Sequence, residues 1–206
     1  LTIVIVDYGV GNLGSIQNML TRLGAIVEIT SDPRVIERAS KLILPGVGAF
    51  DAGMGQLIRS GLKSTLDDAA LVRKIPIAGI CLGMQLMTES SEEGTTPGLG
   101  WVAAKAIRFN PDSDEIVKVP HMGWNTVTLA KNSPVLQFVD KDARFYFVHS
   151  YFVRCENAGD VLLRAQHGLT AFDAAFQNEN LYGFQFHPEK SHRFGKALLR
   201  GFVEMV

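Results

Sequence analysis

The stretch PIAGICLGMQ, Pro76 to Gln85, runs an apolar strand into a cysteine and opens a helical pattern on the next residue. Gly79, Cys81 and Gly83 spell G-x-C-x-G, the thiol counterpart of the G-x-S-x-G nucleophile elbow. In that elbow, glycines two residues to either side let strand and helix close around a strained nucleophile. Such a turn belongs to a parallel sheet covered by helices, and the chain upstream agrees. TIVIVD (Thr2 to Asp7), IVEIT (Ile26 to Thr30) and KLILP (Lys41 to Pro45) are short β-branched runs, the first too continuously apolar to have a wet face. Between the first two, Leu13, Ile16, Leu20 and Leu23 recur at helical spacing from about Asn12 until Gly24 stops them.

Beyond Trp101 the pattern changes to strands joined by short turns. They are predicted at Ala106 to Phe109, Thr126 to Leu129, Phe145 to Val153, Val161 to Gln166, Ala171 to Gln177 and Leu181 to Phe186. Phe194, Ala197, Leu198, Gly201, Phe202 and Met205 share one face of a closing helix. Glu89 to Gly100, rich in Ser, Glu, Gly, Thr and Pro, reads as an exposed loop. The fold class is α/β: a single domain over residues 1–206, with a mostly parallel central sheet flanked by helices and an antiparallel extension.

Composition narrows the function. A chain of 206 residues with 47% hydrophobic and 20% charged content is globular, which excludes disordered, collagen-like and coiled-coil classes. Lys plus Arg number 20 against 21 Asp plus Glu, so neither nucleic acid nor anionic lipid is attracted by net charge. No apolar run approaches the roughly 18 residues of a membrane span, and the first apolar stretch breaks at Asp7. The expectation is a cytoplasmic protein with no nucleic-acid or membrane partner. Cys81 and Cys155 could form at most one bridge, which fits a reducing compartment.

FQFHPEK, Phe184 to Lys190, ends a strand at His187, and Pro188 keeps the backbone extended toward Glu189. A thiol nucleophile needs a base to carry its proton and a third group to fix that base's tautomer. Cys81, His187 and Glu189 can meet if the two strands end on one rim of the sheet. At a helix start the thiolate of Cys81 is favoured, and the N–H of Leu82 faces any oxyanion formed on attack. The residues alone leave other readings open. Cys81 could be a small core hydrophobe, His187 a satisfied strand-end histidine and Glu189 a solvated charge. His187, Glu189 and His192 could ligate a metal, although no second Cys or His pair stands at ligand spacing. Gly9, Gly11 and Gly14 spell the dinucleotide fingerprint G-x-G-x-x-G with Glu28 downstream, yet Glu28 falls inside the second strand and the triad then has no role.

GICLGMQ together with GFQFHPEKS is similar to the class I, or triad-type, glutamine amidotransferase family, and the likeness covers essentially the whole chain. DYGVGNL, LPGVGAF (Leu44 to Phe50), SEE (Ser91 to Glu93), PHMGWN (Pro120 to Asn125) and YFVHSY (Tyr146 to Tyr151) narrow it. They resemble the family of glutaminase subunits of imidazole glycerol phosphate synthases, from histidine biosynthesis. The resemblance implies that Cys81 attacks the side-chain amide of L-glutamine, His187 protonates the departing ammonia and Glu189 orients the imidazole. It implies an oxyanion hole made by the N–H groups of Val47 and Leu82, and the glycines flanking Val47 suit a peptide plane that flips. Gln85 and Glu93 match positions at the amino-acid end of the substrate, Glu93 as counter-charge to the ammonium. Gly48, Ser150 and Tyr151 match positions that offer largely backbone contacts. No cofactor and no metal is implied.

Ammonia is nucleophilic only while neutral, so it must be passed on out of water. The resemblance implies a separate (β/α)8-barrel cyclase subunit as acceptor, in a heterodimer. Asn12, Trp124, Tyr146 and Lys190 match positions near its docking face, Trp124 as the anchor. Two competing readings are an amidotransferase of the same class serving another synthase, against which PHMGWN speaks, and an interaction module that has lost its chemistry. All three triad residues are present, contrary to the second.

Overall fold

The computed structural model describes residues 2–110 and 118–206. The first part alternates β1 (Thr2–Val6), α1 (Leu13–Thr21), β2 (Ile26–Thr30), α2 (Pro33–Ile36), β3 (Lys41–Leu44), α3 (Phe50–Arg59), α4 (Lys63–Asp67), β4 (Ile77–Ile80) and α5 (Leu82–Leu86). The second is mostly strands: β5 (Ser90–Ser91), β6 (Ala104–Arg108), β7 (His121–Thr126), β8 (Thr128–Leu129), β9 (Arg144–His149), β10 (Tyr151–Cys155), β11 (Val161–His167), β12 (Thr170–Asn178) and β13 (Leu181–Phe184). Helix α6 (His192–Glu204) closes it.

Among the described residues, eight strands form the main sheet in the order β2-β1-β3-β4-β13-β12-β11-β8. The five from β2 to β13 are parallel, and β12, β11 and β8 extend them antiparallel. Successive side chains of β1 enter opposite cores: Ile3 and Ile5 pack with Ile16 and Leu20 of α1 and Leu198 and Phe202 of α6, whereas Val4 and Val6 pack with Met54 and Leu57 of α3. Each such fully buried aliphatic side chain contributes about 1.5–3 kcal/mol.

Several elements differ from their sequence expectation. The single strand expected over Phe145 to Val153 is two, because β9 pairs with β7 and β10 with β6, in different sheets. The break at Ser150 is what turns this segment toward the site. Only Thr128 and Leu129 of the run Thr126 to Leu129 form their own strand, while Thr126 ends β7, whose residues His121 to Asn125 have a mixed polarity and a left-handed Gly123 (φ +128°) that hid a strand. Strand β13 stops at Phe184 rather than Phe186. The segment Glu89 to Gly100 is only partly exposed, with Ser91 and Leu99 buried and Ser90–Ser91 paired with β6. Helices α2, α3 and α4 are not foreseen from sequence: α2 and α4 span only four and five residues, and in α3 small residues such as Gly53, packed against Leu82, break the apolar stripe.

Two buried polar arrangements hold the layers together. The Nζ of Lys41 donates to the carbonyls of Phe202 (2.8 Å) and Val203 (2.7 Å) near the end of α6, where carbonyls lack intrahelical partners. Across β7 and β9, His149 Nδ1 donates to the Tyr151 carbonyl (2.8 Å), so its Nε2 accepts from His121 Nδ1 (2.9 Å), whose Nε2 in turn accepts from Asn125 Nδ2 (3.1 Å). This chain is complete only with both imidazoles neutral. Burial is the main cause that pushes His149 down to about 3 and His121 to about 4 from 6.5.

Lys41→Met keeps the stem but strands two carbonyls, so it should cost about 2 kcal/mol and lower the melting temperature by about 4–8 °C, measured calorimetrically; an unchanged midpoint would contradict the capping role. The depressed histidine pKa values mean that their stabilisation is full above the unfolded value of 6.5 and is lost as pH falls through it toward 4. Melting temperature should therefore drop over that window, and the double variant His121→Gln, His149→Gln should show a flatter profile; identical profiles would refute the assignment.

Candidate active site

Cys81 sits at φ 52°, ψ −110°, a conformation that costs a non-glycine residue on the order of 1–3 kcal/mol. Close packing over-determines it. A Cβ on Gly83 would lie 1.9 Å from the Leu44 carbonyl, so only glycine lets α5 start against β3. The Cys81 N–H donates to the Phe184 carbonyl at 2.7 Å, joining the ends of β4 and β13. Phe184 pairs with Ile80, so the chain leaving β13 through Gln185 and Phe186 delivers His187 to the rim that carries Cys81.

His187 Nδ1 and Glu189 Oε1 are 2.8 Å apart, with both side chains 2% exposed. The second carboxylate oxygen is buried and has no hydrogen-bond partner among the described residues. His187 Nε2 is likewise buried with no regular hydrogen-bond partner among the described residues, and the Cys81 sulfur is its charged neighbour. Burial opposes a charged imidazole, but the Cys81 sulfur and then the Glu189 carboxylate outweigh it and push the pKa up from 6.5 to about 9. Helix α5 has only five residues, so its dipole adds little and the imidazolium is the main positive charge facing the sulfur. The histidine is also fixed through its backbone, its N–H donating to the Tyr146 carbonyl (2.9 Å) and its carbonyl accepting from Ser191 Oγ (2.6 Å).

Every residue assigned from sequence to catalysis, oxyanion binding or substrate, apart from Glu189 behind the imidazole, lines one cavity of about 340 Å³: Val47, Gly48, Cys81, Leu82, Gln85, Glu93, Ser150, Tyr151 and His187. Pro120, Val148 and His149 complete its wall. A larger groove of about 880 Å³ beside Leu129, Pro134 and Met205 contains none of these groups.

The expected oxyanion pair is not assembled. The Leu82 N–H donates to the Gly46 carbonyl at 3.3 Å, and the Val47 N–H of that same trans peptide points the opposite way. A Cβ on Gly46 would come within 2.9 Å of both Leu82 Cβ and the Tyr8 hydroxyl, so glycine is needed there for space. Tyr8 holds the segment by donating to the Pro45 carbonyl at 2.5 Å. Burial and then the neighbouring Cys81 keep that phenol above its ordinary pKa, hence a donor.

Gln185, unassigned from sequence, is fully buried and donates from Nε2 toward Cys81 Sγ at 3.8 Å. Its Oε1 accepts from Gln85 Nε2 (3.0 Å), which also donates to the Tyr151 carbonyl (3.1 Å). Both donors of Gln85 are thus engaged inside the protein, and it presents an acceptor to the cavity. Tyr8, His149 and Ser191 were missed too. The available signal was a polar residue inside a buried strand end, as Gln185 stands between two phenylalanines.

The residues assigned to docking form a surface patch. Trp124 lies opposite Tyr146 in the β7–β9 ladder with ring centroids 6.2 Å apart, and Lys190 Nζ is 5.9 Å from the Tyr146 ring. Asn12 is exposed at the start of α1, which packs beside the turn Pro188–Lys190. His192 stacks on Trp124 at 5.6 Å, and among the described residues no three His, Cys, Asp or Glu side chains converge for a metal ion. Nor does the glycine-rich turn read as a dinucleotide site: Glu28 pairs with Val4 in mid-strand, and Gly11 closes on Pro45, where its Cβ would be 3.1 Å from the ring.

The glutamine analogue 6-diazo-5-oxonorleucine should alkylate Cys81 and leave Cys155 unmodified, because burial, Asp173 and Asp160 push the latter thiol up to about 12. Peptide mass mapping reads the adduct, and modification at Cys155 would contradict the assignment.

Residues 4–205 match the family profile described as glutamine amidotransferase class-I. The imidazole glycerol phosphate synthase subunit HisH 2 of Pseudomonas aeruginosa is 48% identical over 204 residues, covering 99% of this chain and 100% of that protein. Its counterpart in Methanococcus maripaludis is 46% identical over 204 residues, covering 99% and 100%. The structure of PurLQS from Thermotoga maritima superposes with a TM-score of 0.75 at 20% identity, covering 98% of this chain and 97% of that one, a likeness of fold. Matched from end to end in sequence and architecture alike, the chain belongs to the class-I glutamine amidotransferases, on the branch of imidazole glycerol phosphate synthase HisH subunits.

Proposed function

We propose that this chain hydrolyses L-glutamine to glutamate and ammonia through a thioester on Cys81, and hands the ammonia to a cyclase subunit that forms imidazole glycerol phosphate and aminoimidazole carboxamide ribotide in histidine biosynthesis. The observation that carries this is the single cavity in which the elbow cysteine, its histidine and the substrate-facing polar groups meet. Its size suits one small amino acid. The Cys81 sulfur attacks the side-chain carbonyl carbon of glutamine, and the His187 imidazolium gives its proton to nitrogen as the C–N bond breaks. Neutral imidazole then takes a proton from water, whose oxygen attacks the thioester and expels the thiolate. Glu189 holds the tautomer that presents Nε2 throughout. Glu93 faces the substrate ammonium, and Gln85 accepts a hydrogen bond from the substrate.

The partner is a (β/α)8-barrel cyclase that docks on the Trp124, Tyr146 and Lys190 patch beside Asn12. Exposed Trp124 and Met122 support this, because apolar side chains of that size are 44% and 62% accessible there. Docking also supplies the missing donor. With Leu82 bonded to Gly46, a free chain lacks the oxyanion hole, and rotation of the Gly46–Val47 peptide would withdraw the carbonyl and present the Val47 N–H.

Losing an oxyanion donor costs about 10²–10³ in kcat, so steady-state glutaminase turnover should rise by that order when the cyclase and its nucleotide are added. Full turnover by the lone chain would exclude the closed hole as a gate.

A further inference from the structure

The segment that carries Glu93 is clamped to the start of α3 by a reciprocal pair of carboxylates. Glu93 Oε2 accepts from the Phe50 N–H at 2.9 Å, capping a helix whose N-cap residue, Ala49, has no side-chain acceptor. In return Asp51, in the first turn of α3, accepts from the backbone N–H groups of Thr95 (3.0 and 3.2 Å) and Thr96 (3.0 Å). Ser91 Oγ accepts from the Glu93 N–H at 3.1 Å and sets the turn between them. The fit is tight, since a Cβ on Gly94 would fall 2.0 Å from Asp51 Oδ1. The Thr95 and Thr96 N–H groups hold the Asp51 carboxyl below its ordinary pKa, as an engaged anion should be.

We infer that Asp51 is a positioning residue for substrate recognition: by fixing the loop through Thr95 and Thr96 it holds the Glu93 carboxylate on the cavity wall, where it receives the ammonium of glutamine. This rests on the reading of Glu93 given above and extends it to a residue outside the cavity lining. Helix α3 directly follows the oxyanion segment Pro45 to Gly48, so the same clamp ties ammonium recognition to the backbone that must turn for catalysis.

The test compares kcat/KM for L-glutamine and for its des-amino analogue 4-carbamoylbutanoate, using the chain assembled with its cyclase subunit. The wild-type protein should prefer glutamine. Asp51→Ala should lower kcat/KM for glutamine by about tenfold, mainly through KM, and change it by less than about twofold for the analogue, because displacement of a positioning group by an ångström is enough for losses of that size. Gly94→Ala, which drives a methyl group into the same carboxylate from the loop side, should reproduce the loss, and Asp51→Asn, which keeps an acceptor, should fall between. Full wild-type preference in both Asp51→Ala and Gly94→Ala would overturn the role of Asp51 while leaving Glu93 as the ammonium site. Equal losses on both substrates would reduce the clamp to a structural support and overturn it as well. A wild-type protein indifferent to the amino group would remove the reading of Glu93 and this inference with it.

Discussion

The parallel pairing of β13 against β4 is the constraint on which the site depends. Cys81 and His187 are far apart in sequence, and neither strand alone defines a reaction centre. Pairing Phe184 with Ile80, sealed by the 2.7 Å bond from the Cys81 N–H to the Phe184 carbonyl, brings both residues out of the same rim. A slip of one residue would move the imidazole by about 3.3 Å and turn every side chain of β13 to the other face. Deep apolar cores on both faces forbid that slip, because Phe184 and Tyr182 lie in one and Leu181 in the other. Burial energy thus fixes a register, and the register fixes the placement of Cys81 relative to His187.

Against this rigid base, the segment Pro45 to Gly48, proposed to form the oxyanion hole, is lightly held in its closed form. The Leu82 to Gly46 bond is long at 3.3 Å, and a backbone hydrogen bond of ordinary geometry contributes only about 0.5–1.5 kcal/mol net. A partner need supply only a few kcal/mol of differential binding to change which peptide orientation prevails. The neighbours that could resist are arranged not to: Gly46 and Gly48 carry no side chain, and Val47 is exposed. The flanking anchors are firm by contrast, with Tyr8 on Pro45 and Glu93 on Phe50.

The first half of the sheet was legible because parallel strands buried on both faces read as unbroken β-branched runs, and the elbow because its glycines are demanded by contacts as short as that of Gly83 with Leu44. Residues proposed to carry the chemistry stood out by type and spacing, as with His187 and Glu189. What escaped was set by tertiary pairing. The division of Phe145 to Val153 depends on two strands choosing different partners, which local pattern does not encode, and β7 is hidden because its alternation is interrupted by Gly123. The glycines around Val47 announced a peptide plane able to flip, but which orientation it adopts is set by the bond from the Leu82 N–H to the Gly46 carbonyl, a tertiary contact that spacing does not encode. Gln185 and Ser191 act through hydrogen bonds whose partners lie on other elements, so no spacing announces them.

The break at Ser150 explains why so much polarity converges on one backbone group. The carbonyl of Tyr151 accepts from both Gln85 Nε2 and His149 Nδ1, and a carbonyl can only accept. That single fact orients two chains. On one side it fixes the Gln85 amide, which obliges Gln185 to turn its oxygen inward and its N–H toward the Cys81 sulfur. On the other it fixes the tautomer of His149, then that of His121, and so keeps the wall of the cavity neutral beside Cys81 and His187. Positive charge in that wall would compete with His187 for the sulfur.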